Sequence, residues 1–226
     1  MWPHKRYYSP MTQRLIIAFG GNSSRDINAV LENLRQGASH LESRGNLHLE
    51  KISPLYETAP AGCFGRQPPY LNALIVCRCS VTLIGFLHLC KTIEREAGRR
   101  KRGINAARPL DIDLIDFGGR CIGAQAQRPL APPPRLDRNP KRQRGRPLRA
   151  RRTAATARIP RSWLTLPHPE MHRRRFVLEP LADIEPHWQH PVLKMTVRQL
   201  LARLPRPPGS IRRALDSQWF SCDKHQ

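Results

Sequence analysis

Residues 109–117 read PLDIDLIDF, and this stretch decides which fold the chain can adopt. Apolar residues alternate with aspartates, which is the period of a β-strand that has one buried face and one polar face. Ile112 and Leu114 therefore share one face of the strand, and Asp111 and Asp113 share the other. We predict a strand here and place the other elements of the fold relative to it.

The two neighbouring carboxylates are a candidate metal site. Their like charges are unfavourable side by side unless a cation lies between them, and oxygen ligands suit a hard divalent ion such as Mg²⁺. Upstream, residues 98–103 read GRRKRG and Arg108 follows, and guanidinium groups bind phosphate oxygens bidentately. The pattern favours a site for metal plus polyphosphate, although a solvated strand face and a solvated loop explain the two features separately. No G-x-x-x-x-G-K-[ST] motif occurs, so a P-loop is excluded.

Towards the N-terminus, three strands and two helices are predicted before this stretch. The apolar run LIIAF at 15–19 ends in Gly-Gly-Asn and indicates a buried strand. Residues 47–56 and 70–80 are rich in β-forming residues and predict two further strands. Apolar residues at helical spacing predict helices over 27–41 and 82–97, the second of which ends at a glycine.

The resulting order is strand, helix, strand, strand, helix, strand, which is the ferredoxin-like arrangement. Two more helical pieces follow, at about 173–183 and 196–204. We therefore predict an α+β protein with a ferredoxin-like βαββαβ core and extra C-terminal helices.

The positive charge of the chain is concentrated in one segment. Of 226 residues, 39 are Lys or Arg and 17 are Asp or Glu, and residues 120–162 supply +12 of the net +22. This segment has seven prolines, and its stretch 131–152 has almost no apolar residues, so burial cannot offset its ordering entropy and we predict that it is disordered. We expect one domain over 11–205, interrupted by this insertion, with flexible tails at 1–10 and 206–226.

Composition also excludes several protein classes. No apolar run approaches the ~18 residues of a membrane-spanning helix, and the first ten residues lack the apolar core of a secretory signal. We therefore expect a cytoplasmic protein without membrane contact, and neither a membrane protein nor a secreted disulfide scaffold.

The cysteines and histidines offer only weak metal motifs. No C-x-x-C pair occurs, and Cys77 and Cys79 lie in an apolar run that favours buried, reduced thiols over a C-x-C metal site. His168 and His172 have the i, i+4 spacing of zinc ligands on a helix, but Pro169 places the first of them before any helix. A phosphate-binding role for His168, beside the arginines that follow, is the favoured alternative.

Six short motifs together resemble the 6-hydroxymethyl-7,8-dihydropterin pyrophosphokinase family of folate biosynthesis. They are IAFGGN at 17–22, YETAPAG at 56–62, QPPYLNA at 67–73, IEREAGR at 93–99, ARPLDID at 107–113, and LPHP with RRRFVLEPL within 166–181. Each motif is weak alone, but they occur in the family's order and cover about 150 residues of this chain. The ferredoxin-like element order agrees with the fold that this resemblance implies.

The resemblance implies an enzyme that transfers a pyrophosphoryl group from ATP to the hydroxymethyl oxygen of the pterin and releases AMP. Asp111 and Asp113 look like the carboxylates that hold two Mg²⁺ ions, and Arg99 and Arg108 look like the cations that assist transfer. The pterin-binding positions that the resemblance indicates are Thr58, Ala61, Tyr70, Asn72 and Phe176. The nucleotide-binding positions are Glu94, Leu114, Thr165, His168 and Arg174.

Tyr70 and Phe176 resemble an aromatic pair that encloses the flat pterin ring, and such stacking contributes about 1 kcal/mol beyond area burial. The loop between Arg99 and Arg108 resembles a lid that closes over bound substrates.

Two other functions stay open. A ferredoxin-like sheet with a basic segment can bind RNA, but the aromatic-rich K/R-G-F/Y-G/A-F-V-x-F/Y strand is missing. We therefore expect at most a non-specific nucleic-acid contact through residues 120–162. An inactive relative of the kinase is the second alternative, because the insertion falls in a link that is short in the family. The resemblance implies a monomer.

Overall fold

The computed structural model describes residues 12–59, 67–99, 107–123, 164–206 and 209–220. Within these ranges the chain forms six strands and four α-helices. In chain order they are β1 (Gln13–Gly21), α1 (Ile27–Gly45), β2 (His48–Ile52), β3 (Leu55–Thr58), β4 (Tyr70–Cys79), α2 (Leu83–Glu96), β5 (Asp111–Phe117), α3 (Arg175–Ile184), α4 (Val197–Ala202) and β6 (Ile211–Leu215).

All strands belong to one antiparallel sheet in the order β5-β1-β4-β3-β6, and β2 pairs with the far half of β4. The predicted α+β, ferredoxin-like order is therefore confirmed, with α2 as the second helix of the βαββαβ core. The predicted strand over 47–56 is two strands, because Pro54 has no N–H for the ladder. At this break Ser53 pairs with Leu74: the Ser53 amide donates 2.9 Å to the Leu74 carbonyl, and the Ser53 hydroxyl accepts 2.8 Å from the Leu74 amide.

Both faces of the sheet are covered. Leu15 and Ile17 of β1 belong to a core cluster with α1 and α2, whereas Ile16 belongs to a second cluster with α3 and α4. A strand that is buried on both faces needs apolar residues at every position, which accounts for the unbroken run LIIAF. Both predicted C-terminal helices are present, although the first begins at Arg175 after a 3₁₀ turn over Met171–Arg173.

Polar side chains set where the first two helices begin. The carboxylate of Asp26 accepts a hydrogen bond of 2.9 Å from the amide of Asn28 at the start of α1. Thr82 caps α2 in the same way, through a hydrogen bond of 3.2 Å from the amide of Gly85. Each cap satisfies a backbone donor that the first helical turn leaves without a partner.

The prediction of a flexible C-terminal tail is wrong over Ile211–Phe220. Here β6 pairs with β3, and a 3₁₀ turn over Ser217–Phe220 follows it. The side chain of Trp219 is only 2% exposed and packs in the first core cluster. The domain thus extends beyond residue 205. The predicted N-terminal tail (1–10) and most of the predicted disordered insertion (124–162) lie outside the described residues.

No helix in the described ranges is long and apolar enough to cross a membrane. Cys77, Cys79 and Cys90 are buried free thiols, as predicted for core cysteines. Among the residues that the structure describes, no cluster of three or more His, Cys, Asp or Glu side chains could hold a metal ion by itself.

Candidate active site

A cavity of about 300 Å³ opens on the sheet face that α3 partly covers. This volume lies at the lower end of the range for small-molecule sites. Eight of the predicted site residues line it, and they come from five different parts of the chain. They are Thr58, Tyr70, Asn72, Arg108, Asp111, Asp113, Arg174 and Phe176.

Strand register brings these residues together. On the cavity face Asp111 of β5 lies opposite Gly20 of β1, which lies opposite Asn72 of β4. One step along, Asp113 lies opposite Ala18. Ala18 and Gly20 of β1 have small side chains or none, and they leave space between the two carboxylates and the side-chain amide of Asn72. A Cβ atom at Gly20 would lie 3.3 Å from Asn72 Oδ1, so larger residues would fill this space.

The two aromatic residues enter the cavity from different elements. Tyr70 is the first residue of β4, and Phe176 lies in the first turn of α3. The Phe176 side chain is 36% exposed, which is unusual for a large apolar residue beside a core. The guanidinium of Arg174 lies over its ring at 5.6 Å from the centroid. The ring and the cation are therefore available together on one wall of the cavity.

Asn72 is oriented by a neighbour on β3. It is 6% exposed, and its Nδ2 donates a hydrogen bond of 2.9 Å to the Thr58 hydroxyl. With the amide nitrogen held in this way, Oδ1 is the end that lies towards Gly20 and the cavity floor. The amide therefore presents a hydrogen-bond acceptor to a ring in the cavity.

The first aspartate of β5 is paired with both predicted catalytic arginines. Arg99 donates a hydrogen bond of 2.7 Å to Asp111 Oδ1, and Arg108 donates one to Asp111 Oδ2. Burial alone would lower the pKa of Arg108, but the carboxylate of Asp111 outweighs it and raises that pKa above its usual value. Arg108 lines the cavity where it meets the polar face of β5, and Arg99 reaches the same carboxylate from outside the cavity lining.

Glu94, on α2, stabilises this cluster without lining the cavity. Its side chain is 1% exposed, and its carboxylate accepts hydrogen bonds from Lys91 Nζ (2.9 Å) and from Arg99. It also accepts one of 3.0 Å from the amide of Ile112, the residue between the two aspartates. A buried carboxylate needs such partners, because an unpaired buried charge is costly.

One residue that sequence patterns did not single out connects the two sides of the site. Asn22 is fully buried and accepts a hydrogen bond of 2.9 Å from the amide of Arg108. Its Nδ2 donates 3.2 Å to Gln67, which precedes β4. Asn22 lies within the IAFGGN motif, and that position was the only sequence signal for it.

None of the other predicted positions that the structure describes lines the cavity, Arg99 and Glu94 included. His168 Nε2 is 3.9 Å from Asp113 Oδ2, and burial lowers the pKa of this histidine although Asp113 opposes the effect. Leu114 is 7% exposed and packs in the core on the opposite face of β5. Thr165 directly precedes Leu166, which forms an isolated bridge with Ile122. Ala61 lies outside the described residues.

The chemistry of the donors fits magnesium. Asp111 and Asp113 project from one strand face into the cavity, and their side chains are 23% and 37% exposed. Mg²⁺ is usually bound through one or two carboxylates together with substrate phosphates and water, rather than by a complete protein cage. Two carboxylates with arginines beside them, and no third His, Cys, Asp or Glu side chain among the described residues placed to complete a metal cage, match that requirement.

Comparison with known proteins identifies the family. A family model described as 7,8-dihydro-6-hydroxymethylpterin-pyrophosphokinase (HPPK) matches residues 16–186. A 2-amino-4-hydroxy-6-hydroxymethyldihydropteridine pyrophosphokinase from Synechocystis sp. is 29% identical over 189 residues, which cover 84% of this chain and 75% of that protein. A protein of the same name from Porphyromonas gingivalis is 31% identical over 143 residues, which cover 62% of this chain and 71% of that protein.

Solved structures support the fold. The wild-type HPPK-DHPS of Plasmodium falciparum superimposes with a TM-score of 0.55 at 16% identity, over 85% of this chain and 41% of that one. This chain thus spans less than half of that solved chain. The family match covers most of the sequence and includes the β1, β3, β4, β5 and α3 residues of the cavity. The chain therefore belongs to the 7,8-dihydro-6-hydroxymethylpterin-pyrophosphokinase family.

Proposed function

We propose that the cavity between β5, β4 and α3 is where this chain transfers pyrophosphate from ATP to 6-hydroxymethyl-7,8-dihydropterin. The family membership supports the reaction, with ATP as co-substrate. The observation that carries the placement is the convergence on one cavity of two carboxylates, the guanidinium groups of Arg108 and Arg174, and the rings of Tyr70 and Phe176. Enzymes of phosphoryl transfer act mainly by positioning and by neutralising charge, and this site is equipped for both.

In this proposal the pterin ring lies between Tyr70 and Phe176. A flat heteroaromatic ring gains area burial and stacking from such a pair. Asn72, held by the Thr58 hydroxyl, offers an acceptor to the hydrogen-bonding edge of the ring. Main-chain groups after Thr58, including those of Ala61, would read the rest of that edge.

Asp111 and Asp113 would hold magnesium where the polar face of β5 meets the cavity. We propose that two ions bind there. Bound Mg²⁺ would neutralise phosphate charge and orient the attacking and leaving oxygens. In the structure Arg99 and Arg108 both donate hydrogen bonds to Asp111. Phosphate oxygens carry the same negative charge as the Asp111 carboxylate and would replace it as hydrogen-bond partners of the two guanidinium groups. Asp111 would then be free to bind Mg²⁺.

The reaction itself requires one bond to form and one to break. The hydroxymethyl oxygen bonds to the β-phosphorus, the bond from that phosphorus to the α,β-bridging oxygen breaks, and AMP leaves while the hydroxyl proton is released. Arg99 and Arg108 would stabilise the charge that develops on the phosphate oxygens. Their ion pairs with Asp111 place both cations beside the proposed metal site.

The nucleotide side of the site is proposed from positions around β5 and α3. Arg174 lines the cavity, and His168 lies close to Asp113. Leu114 and Thr165, whose side chains lie elsewhere, would contribute main-chain atoms. Glu94 would act through Arg99, because its own oxygens are buried and already accept hydrogen bonds.

Release of AMP from ATP, magnesium and the hydroxymethyl-dihydropterin tests the proposal. Asp111→Asn and Asp113→Asn should each lower turnover by about a hundredfold or more, because each removes one charged ligand without changing size. Asp116→Asn is the matched control, since Asp116 lies on β5 outside the cavity and pairs with the amide of Gly119. Turnover near wild type in both cavity variants would contradict the metal assignment.

Two further expectations have separate tests. Non-specific nucleic-acid binding through residues 120–162 rests on their charge of +12 alone. Deleting that segment should abolish salt-sensitive RNA binding, and unchanged binding would refute it. The expected monomer is tested by sedimentation.

A further inference from the structure

The C-terminal segment, residues 209–220, lies beyond the family match, which ends at residue 186. None of its residues lines the cavity. It nevertheless contacts the strand that forms one cavity wall. This contact connects a part of the chain outside the matched region with the proposed pterin side of the site.

The backbone contact runs the length of β3, with one register shift between Leu55 and Tyr56. Strand β6 pairs with it from Leu55 to Thr58, with Thr58 opposite Ile211. One residue further, the amide of Ala59 donates a hydrogen bond of 3.2 Å to the carbonyl of Ser210. Thr58 and Ala59 both line the cavity. The end of β3 is thus held between β4 on one side and the C-terminal segment on the other.

Three side-chain contacts also anchor the segment. Arg212 forms an ion pair of 2.7 Å with Glu57 of β3. Trp219 is 2% exposed, and its indole Nε1 donates a hydrogen bond of 2.9 Å to the carbonyl of Ser53, at the break before β3. The guanidinium of Arg35 on α1 donates 2.6 Å to the carbonyl of Trp219.

The same tryptophan contacts the cavity floor from behind. Its ring meets Phe19 of β1 edge to face, with centroids 6.5 Å apart, and Phe19 is among the cavity-lining residues. A four-residue strand with one partner is free to fray, whereas one with partners on both sides is not. The position of Thr58 matters because its hydroxyl orients the side-chain amide of Asn72.

We propose that the C-terminal segment, anchored by Trp219, is a positioning element for the pterin side of the cavity: by docking on β3 it fixes Thr58 and Ala59. The inference rests on the proposed function, since it presumes that the pterin occupies this wall. Because coupling between sites is reciprocal, pterin binding must in turn strengthen the docking of β6.

Kinetics of Trp219 variants give the first test. Trp219→Ala should raise KM for the pterin about tenfold and leave KM for ATP within about twofold. Trp219→Phe keeps an aromatic ring in the core and should recover most of the pterin KM. Leu41→Ala is the control for lost stability, because Leu41 is fully buried in α1 and belongs to the same core cluster. It should leave both KM values unchanged.

Hydrogen exchange of the wild-type protein gives the second test and does not depend on a variant that folds. Exchange of the β6 amides over 211–215 should slow on addition of pterin with a non-hydrolysable ATP analogue and magnesium, but not with the analogue and magnesium alone. An equal rise of both KM values in Trp219→Ala, or β6 exchange that does not respond to pterin, would overturn the inference while leaving the proposed function intact. A wild-type protein that neither turns over nor binds pterin would overturn the proposed function, and this inference with it.

Discussion

Acid should destabilise the layer that carries Arg174 and Phe176, through a buried pair of histidines beneath it. His172 and His190 are 2% and 0% exposed, and their rings meet edge to face with centroids 6.0 Å apart. Nδ1 of His190 accepts hydrogen bonds from the amides of Val192 (3.3 Å) and Leu193 (3.1 Å), so its single proton is on Nε2. A second proton on Nδ1 would break both bonds inside an apolar core.

Burial, together with the neighbouring His172, lowers the pKa of His190 from 6.5 to about 4. The unfolded chain therefore binds a proton between these values that the folded chain does not. The folded state is favoured above about pH 6.5 and loses stability as pH falls towards 4, by up to about 3 kcal/mol for this one group. About 2 kcal/mol of that loss falls between about pH 7.5 and pH 5.

Urea unfolding at these two pH values measures the effect, with His190→Asn as the comparison. The asparagine oxygen can replace Nδ1 as acceptor for the two amides but does not titrate. The variant should be less stable at neutral pH because it loses ring packing, yet its stability should fall by about 2 kcal/mol less than that of wild type on acidification. If both proteins lose the same free energy, the buried histidine is not the cause and the reasoning fails.

Three other outcomes follow from the geometry. Thr58→Val is nearly isosteric but removes the acceptor for Asn72 Nδ2, so KM for the pterin should rise about fivefold, whereas Thr58→Ser should restore it in the same steady-state assay. Gly20→Val should abolish pterin binding in calorimetry without unfolding the protein, because the added side chain would fill the cavity floor; wild-type affinity would contradict the placement of the ring. Thiol titration of the native protein should modify exposed Cys121 quickly but spare Cys77, because burial raises the pKa of the Cys77 thiol to about 12, and both should react in denaturant.

The parts of the fold that sequence patterns predicted are those governed by local periodicity. The alternation in β5 correctly separated Ile112 from Asp111 and Asp113, because strand geometry alone decides which face a residue occupies. The cluster around the aspartates was recovered through the family motifs, which place Arg99 and Arg108 close in sequence to β5.

The misses arise from contacts between distant segments. Strand β6 reads IRRAL, too short and too charged to predict, and it forms only because β3, more than 150 residues earlier, offers an open edge. Glu94 is buried because α2 packs closely enough against β5 for its carboxylate to reach the amide of Ile112. The spacing of apolar residues along the sequence does not predict that approach. Asn22 was overlooked because its partners, Gln67 and Arg108, are far apart along the chain.

Strand β6 also affects whether two copies of this chain can pair through the edges of their sheets. An antiparallel sheet with an open edge is a template for joining a second sheet, and proteins limit this risk with short, charged edge strands. Here the outermost strand has five residues, and its neighbouring Arg212 and Arg213 are both exposed. Edge-to-edge pairing of two copies would bring four guanidinium groups together and would compete with the ion pairs of Arg212 with Glu57 and of Arg213 with Asp216, so we expect this edge strand to disfavour self-association through the sheet.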